Sequence, residues 1–381
     1  MVDFLRRLLS RNAGFVYTAL GSLVSAILGA GFWLTLASIL SVESYGWVNY
    51  VIAAAIIAAA VGTVGLDTTV TAYLAKGEEN LLYEANSLAL LFTLAAALAL
   101  TPLGLDAGVT AAAIAFFTMT IAEALGRRNY RQYALLCIGQ RVAQIALSLL
   151  FYIQFGLSGI VAGYYLSNLL FSLKYLRSLK NFTLKINLLK EKGSFTVHSY
   201  GYNLTRTLTV YLDKILIAPL FGYYMLGIYH LSYQFLMFLS IIPLSLFQYL
   251  LPEEASGRER KEVKILGVVS SAVLAAAIIA AAPVIISRFF PTFIEAVAPV
   301  QIMSLAAVPA TVAALHSASL LAKGKSQPVL KAGLIYITVL VSAIAVLGQA
   351  MNAMGLAIAQ ITAQTIQAAY LTIKIEPPLE H

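Results

Sequence analysis

Residues 179–193 read LKNFTLKINLLKEKG. This is the longest polar stretch in a chain of 381 residues that is otherwise a succession of apolar runs, and it leaves nearly equal lengths on either side. Lys180, Lys185, Lys190 and Lys192 lie within it. Phe182, Leu184, Ile186 and Leu188 alternate with polar residues at a strand-like period, yet an open strand edge is untenable in lipid. The stretch is therefore predicted to be an extended or loosely helical cytoplasmic linker. It would join an N-terminal lobe, residues 1–178, to a C-terminal lobe, residues 194–381.

Working outward from the linker, apolar runs are predicted to span a bilayer at 13–40, 45–75, 84–103, 108–127, 131–155 and 157–178 on one side. On the other they lie at 194–221, 224–251, 262–287, 294–322, 328–349 and 352–374. The gaps hold only a few residues, so neighbouring helices form antiparallel hairpins. Of the 25 Lys and Arg residues, 21 fall in every second gap: Arg6/Arg7/Arg11, Lys76, Arg127/Arg128/Arg131, Lys174 to Lys192, Arg258 to Lys264, Lys323/Lys325/Lys331 and Lys374. Cytoplasmic loops hold the Lys/Arg excess of membrane proteins. The expectation is an all-α polytopic protein of the plasma (inner) membrane, with twelve transmembrane helices and both termini cytoplasmic. Each half starts on the same side, so the two six-helix lobes would be related by a pseudo-two-fold axis along the membrane normal, with a central cleft between them. Tyr45-Gly46-Trp47-Val48-Asn49-Tyr50, opening span two, resembles Leu226-Gly227-Ile228-Tyr229-His230, opening span eight. Pro243, Pro283, Pro299 and Pro309 fall within spans of the second half only, which predicts the more bent lobe there.

Composition excludes most other classes. The chain is 60% hydrophobic and 11% charged, with a mean hydropathy of +0.84, whereas soluble domains are about 25% charged. The net charge of +8 is explained by basic span ends that meet anionic membrane lipid, so nucleic acid is not an expected partner. The single cysteine, Cys137, excludes an intramolecular disulfide and a CxxC metal site, and the four histidines are isolated in sequence. There is no GxSxG, Walker glycine loop or HExxH. No enzyme activity, metal or cofactor is expected.

Subtracting the 21 clustered cations and Arg288 leaves Arg141, Arg206 and Lys214 inside spans. A charge at mid-bilayer costs about 2.5–3.5 kcal/mol, so each needs a partner, a wet cavity or a role. In span seven, Ser199, Tyr202, Asn203, Arg206, Thr209 and Asp213 share a helical face. Arg206 lies roughly 18 Å along the axis from the start of that helix. Span five places Cys137, Gln140, Arg141, Gln144 and Ser148 on one face, and span twelve places Gln360, Gln364 and Gln367 likewise. Candidate substrate-binding residues are Arg141, Arg206, Lys214, Gln140, Gln144, Tyr202, Asn203 and Gln364. Asp67 and Asp213 are candidates for coupling to H+ or Na+. Structural pairing of Arg141 with Asp213, or of Arg206 with Asp67, is the competing reading. Arginine's planar fork suits phosphate and pyrophosphate, and the neutral amides and hydroxyls suit a sugar.

Tyr211-Leu212-Asp213-Lys214-Ile215-Leu216-Ile217, then Leu226-Gly227-Ile228-Tyr229, Ile242-Pro243 and Leu251-Pro252, resemble the polysaccharide and O-antigen flippases. Those belong to the multidrug/oligosaccharidyl-lipid/polysaccharide exporter (MOP) superfamily. Gly65-Leu66-Asp67 and Ala322-Lys323-Gly324-Lys325 fit the same pattern. The resemblance implies a two-lobed fold of twelve to fourteen helices that alternates access. It would move a polyprenyl-linked oligosaccharide from the cytoplasmic to the outer leaflet through a cationic lumen, which Arg141, Arg206 and Lys214 would match. Such a protein would work as a monomer, with glycan-assembly enzymes as possible partners. Twelve spans rather than fourteen argue against a lipid II flippase. The runner-up is a cation-coupled antiporter of small amphipathic drugs using Asp67 and Asp213; the lack of an acidic residue in span one argues against it.

Overall fold

The computed structural model describes residues 13–258 and 260–375. Arg6, Arg7 and Arg11, on which the cytoplasmic N-terminus was predicted, lie outside the described residues, as does the C-terminal tail. The elements are α1 (Ala13–Ile39), α2 (Val42–Thr63), α3 (Leu66–Leu74), α4 (Glu79–Ala99), α5 (Leu105–Gly126), α6 (Tyr130–Phe155), α7 (Leu157–Leu170) and α8 (Leu173–Ser178). They continue as α9 (Asn187–Glu191), α10 (Gly193–Leu239), α11 (Ile241–Ala255), α12 (Lys261–Phe289), α13 (Val297–Ser304), α14 (Ala307–Ala322) and α15 (Ser326–Lys374). No strand occurs among the described residues. Lipid offers no hydrogen bonds to a backbone, so helices satisfy every spanning segment internally.

Among the described residues, nine apolar helical segments are long enough to cross a membrane. Two of them, 193–255 and Ser326–Lys374, are divided by non-helical backbone at Gly222 and Asn352. With that division, and with the shorter apolar α7, the described chain has the twelve-helix organisation its periodicity predicts. Large apolar side chains remain exposed on many helices, such as Ile27 at 62%, Ile153 at 85% and Val284 at 70%. In a multi-pass membrane protein such faces meet hydrocarbon.

The chain packs as two compact units. Unit 1 holds the described residues up to Trp33 and Tyr50–Leu212; unit 2 holds Leu34–Asn49 and the described residues from Asp213 onward. The division falls inside α10, and the hairpin between α1 and α2 packs with the second unit rather than the first. The unit 1 core gathers Leu66, Val70, Leu81, Leu82, Phe116, Met119 and Tyr175. The 179–193 segment is tied to that core rather than loose. Leu189 is buried and its N–H donates to Glu84 Oε2 at 3.2 Å, while Thr183 N–H donates to Ser87 Oγ at 3.0 Å. Leu184, one of the alternating apolar residues, is 72% exposed. At the same end of unit 1, Arg127 forms an i, i+4 pair with Glu123 at 2.8 Å and a fork to both Glu79 oxygens at 2.8 and 2.9 Å.

Three of the four prolines named for the second half start helices. Pro243, Pro299 and Pro309 are each the third residue of α11, α13 and α14. A first helical turn tolerates the missing N–H, so bending concentrates at the breaks that precede them. Only Pro283 of the four sits deep within a helix, α12. Unit 1 also contains a break, between α2 and α3, where Val64 and Gly65 take positive φ (50° and 73°).

Each unit uses the same hairpin device. Gly156, between α6 and α7, has φ 63° and ψ −141°; Asn352, inside α15, has φ 52° and ψ −132°. Three residues later, Gly159 and Gly355 lie directly against the carbonyl oxygens of Phe151 and Leu347, each eight residues back. This is concrete internal repetition at a point where the two sequences differ. Asn352 carries a side chain in a conformation natural to glycine, at a cost of order 1 kcal/mol or more. Asn352→Gly is expected to raise stability by about 1 kcal/mol and Asn352→Ala to lower it, read as shifts of the melting temperature in detergent.

Candidate functional site

In unit 1 the polar face of α6 divides. Gln140, Gln144 and Ser148 are buried and packed on α7, which approaches closely because Gly163 lies against the Ser148 backbone. Gln140 Nε2 donates to Ser167 Oγ at 3.3 Å and to Gln144 Oε1 at 3.3 Å, and Ser148 Oγ donates to the Ile160 carbonyl at 3.0 Å. Arg141 is half-buried beside them and near Gly29 of α1. Its guanidinium donates to Gln144 Oε1 at 2.7 Å, and its Nε has no partner among the described residues.

The other unit 1 group assembles at the α2–α3 break. That break lets the first turn of α3 begin beside α10, with Gly65 against the Tyr200 backbone. Asp67 lies in that turn, where the exposed N–H groups of a helix start favour a carboxylate. Asn203 Nδ2 donates to Asp67 Oδ1 at 3.1 Å, to Asp67 Oδ2 at 3.2 Å and to Thr68 Oγ1 at 2.9 Å. Thr196 and Thr69 share a hydroxyl contact at 3.0 Å. Arg206, one turn beyond Asn203, is exposed and forms no ion pair within 4.0 Å among the described residues. Tyr202 is 68% exposed. The predicted face of span seven thus meets different surroundings along its length: Ser199 and Asp213 are buried, Asn203 and Thr209 half-buried, Tyr202 and Arg206 exposed.

In unit 2, Lys214 is held by its own neighbour. Both side chains of the Asp213–Lys214 pair are 2% exposed, with Lys214 Nζ 3.0 Å from Asp213 Oδ1 and 3.3 Å from Oδ2. Tyr229 donates its hydroxyl to Asp213 Oδ2 at 2.7 Å. Gln360 Oε1 lies 3.5 Å from the Tyr229 oxygen, and Gln360 Nε2 donates to the Tyr336 hydroxyl at 2.9 Å. The Tyr233 ring centroid is 4.2 Å from the ammonium. Gln364, one turn along α15, is half-buried.

Sequence reasoning placed Asn203 and Arg206 on the face of span seven that reaches Asp67, and Gln360 on the polar face of span twelve. It gave Tyr336 no part and did not foresee that Asp213 and Lys214 bind each other. Adjacent helical residues point about 100° apart, so spacing rules favour i, i+4 partners; the flexible lysine stem folds back instead. Two guanidinium groups on apolar spans of unit 1 lack a carboxylate ion pair among the described residues, while the third predicted cation is neutralised by Asp213.

The chain is thus polytopic and helical, packs as two compact units, and carries cations and amides on its apolar spans. The fold is similar to that of solved MOP superfamily transporters. The lipid II flippase MurJ, in an inward closed conformation, matches with a TM-score of 0.77 at 12% identity, over 95% of this chain and 88% of that one. An inward-facing multidrug resistance MATE family transporter of the MOP superfamily matches at 0.68 and 14% identity, over 95% and 98%. A MOP superfamily transporter from Pyrococcus furiosus, with a binding pocket described as reversed in polarity, matches at 0.57 and 14% identity over 94% and 93%. No family model and no curated protein matches the chain.

Proposed function

We propose that this protein is a transporter, without enzyme activity or a bound cofactor, that flips a polyprenyl-linked oligosaccharide from the cytoplasmic to the outer leaflet by alternating access. The observation that carries this reading is the pair Arg141 and Arg206. Each is a guanidinium within a span with no carboxylate ion pair among the described residues. A cation kept unpaired at a cost of about 2.5–3.5 kcal/mol fits a ligand that brings the anion. Pyrophosphate is that ligand in a lipid-linked saccharide, and it matches arginine's paired donors. Tyr202 and Asn203 lie on the same helix within one turn of Arg206 and suit sugar hydroxyls. The fold shared with a lipid II flippase supports a lipid-linked substrate. A glycan-assembly setting, action as a monomer and an inner-membrane location with cytoplasmic termini belong to the same proposal.

One observation favours the cation-coupled drug antiporter as second reading. Asp67 is a half-buried carboxylate at a helix break whose hydrogen bonds come from a neutral amide, a setting in which it can take up H+ or Na+. Binding by purified protein separates the two. A short-chain polyprenyl-pyrophosphoryl sugar is expected to bind at least about tenfold tighter than the same sugar linked without phosphate, the loss of one charge-assisted contact. Equal affinities for the two would remove the pyrophosphate assignment.

A further inference from the structure

The Asp213 cluster of unit 2 has the donor set of a cation site. Two carboxylate oxygens lie 3.0 and 3.3 Å from the Lys214 nitrogen, and the Tyr233 ring face lies 4.2 Å away. The Tyr229 phenol, the Gln360 amide oxygen and the Tyr336 phenol continue the network behind the carboxylate. Carboxylate, amide and hydroxyl oxygens are what alkali and other hard cations take, and an aromatic face adds quadrupole attraction. An ammonium takes the carboxylate oxygens and the ring face equally well. Here it is attached to the chain, so it cannot enter from one side of a membrane and leave on the other.

Pairing for stability alone is a weak account of this cluster, because a buried ion pair contributes little over apolar residues of the same volume. The lysine also folds back onto its immediate neighbour, although nearby turns of the helix offer better-placed positions for a partner. We propose that the Asp213–Tyr229–Gln360–Tyr336 cluster is a monovalent-cation site whose resident cation is the protein's own Lys214 ammonium. Unit 2 then takes up no alkali ion during transport, and any alkali coupling belongs elsewhere in the chain. The inference deepens the transporter reading but does not depend on which substrate is moved.

The test is the thermal stability of purified full-length protein in sodium, potassium or choline chloride at equal ionic strength. The wild type is expected to melt at the same temperature in all three. Lys214→Ala, purified throughout in sodium chloride, is expected to melt about 3 °C or more lower in choline and to recover, saturably, in sodium or potassium. The charge-free pair Asp213→Asn/Lys214→Met is expected to be indifferent to the cation. A saturable rise of the wild type's melting temperature in sodium would overturn the proposal. So would a Lys214→Ala protein that melts or unfolds identically in all three salts, or an alkali response in the charge-free pair. These melting arms stay readable if no lipid-linked saccharide is moved, so failure of the flippase reading is separable from failure of this one.

Discussion

Replacing Arg206 with alanine will slow transbilayer movement of a polyprenyl-pyrophosphoryl oligosaccharide by about 10- to 100-fold, the equivalent of one lost charge-assisted contact. The side chain is exposed and makes no hydrogen bond among the described residues. Its removal should leave the melting temperature where it was. Arg206→Lys keeps the charge but loses the planar fork, so an intermediate rate is expected. Arg141→Ala should slow movement in the same direction while also lowering stability slightly, because Gln144 loses a 2.7 Å donor. A rate unchanged by either substitution, in a reconstituted fluorescent-lipid assay, would detach both guanidinium groups from the substrate.

Gly46→Ala should destabilise the fold by about 3 kcal/mol, the upper end of the usual range for overpacking. A methyl at Gly46 would collide with the Tyr223 carbonyl and lie 2.9 Å from the Gly227 nitrogen, and one at Gly227 would collide with the Val42 carbonyl. All four residues belong to unit 2. The contact is reciprocal: each glycine sits four residues after the residue whose carbonyl the other glycine meets. The obstacles are backbone, which cannot rotate aside as a side chain can. Gly227→Ala should therefore cost about as much, whereas Gly31→Ala, with open space around it, should cost nothing. Melting temperatures of the three variants in one detergent decide this. Equal behaviour of Gly46→Ala and Gly31→Ala would show that the crossing tolerates spreading.

That crossing also measures how much of the fold the residues announced. Tyr45-Gly46 and Leu226-Gly227 were legible as a faint repeat, and the structure shows each glycine making way for the other segment. The twelve spans and the short turns were legible because hydrophobic length is a local property. Helical periodicity shows which residues share a face but not what covers it. Gln140, Gln144 and Ser148 share a face as expected, and α7 covers it. Asp213 and Lys214 were each legible as buried charges, yet an ion pair between adjacent residues follows from a lysine rotamer that no spacing rule encodes. The 179–193 segment stands out by composition, while the compact units divide further along, inside α10. The segment's anchoring by Leu189, Glu84 and Ser87 depends on residues about 100 positions apart in sequence.

The most direct measurement is the transbilayer movement of a short-chain polyprenyl-pyrophosphoryl oligosaccharide in proteoliposomes containing the wild-type protein. Movement at least about tenfold above protein-free vesicles is expected, with a marked loss in Arg206→Ala. Movement no faster than in protein-free vesicles, together with proton- or sodium-driven uptake of an amphipathic cationic dye by the same preparation, would contradict the flippase assignment.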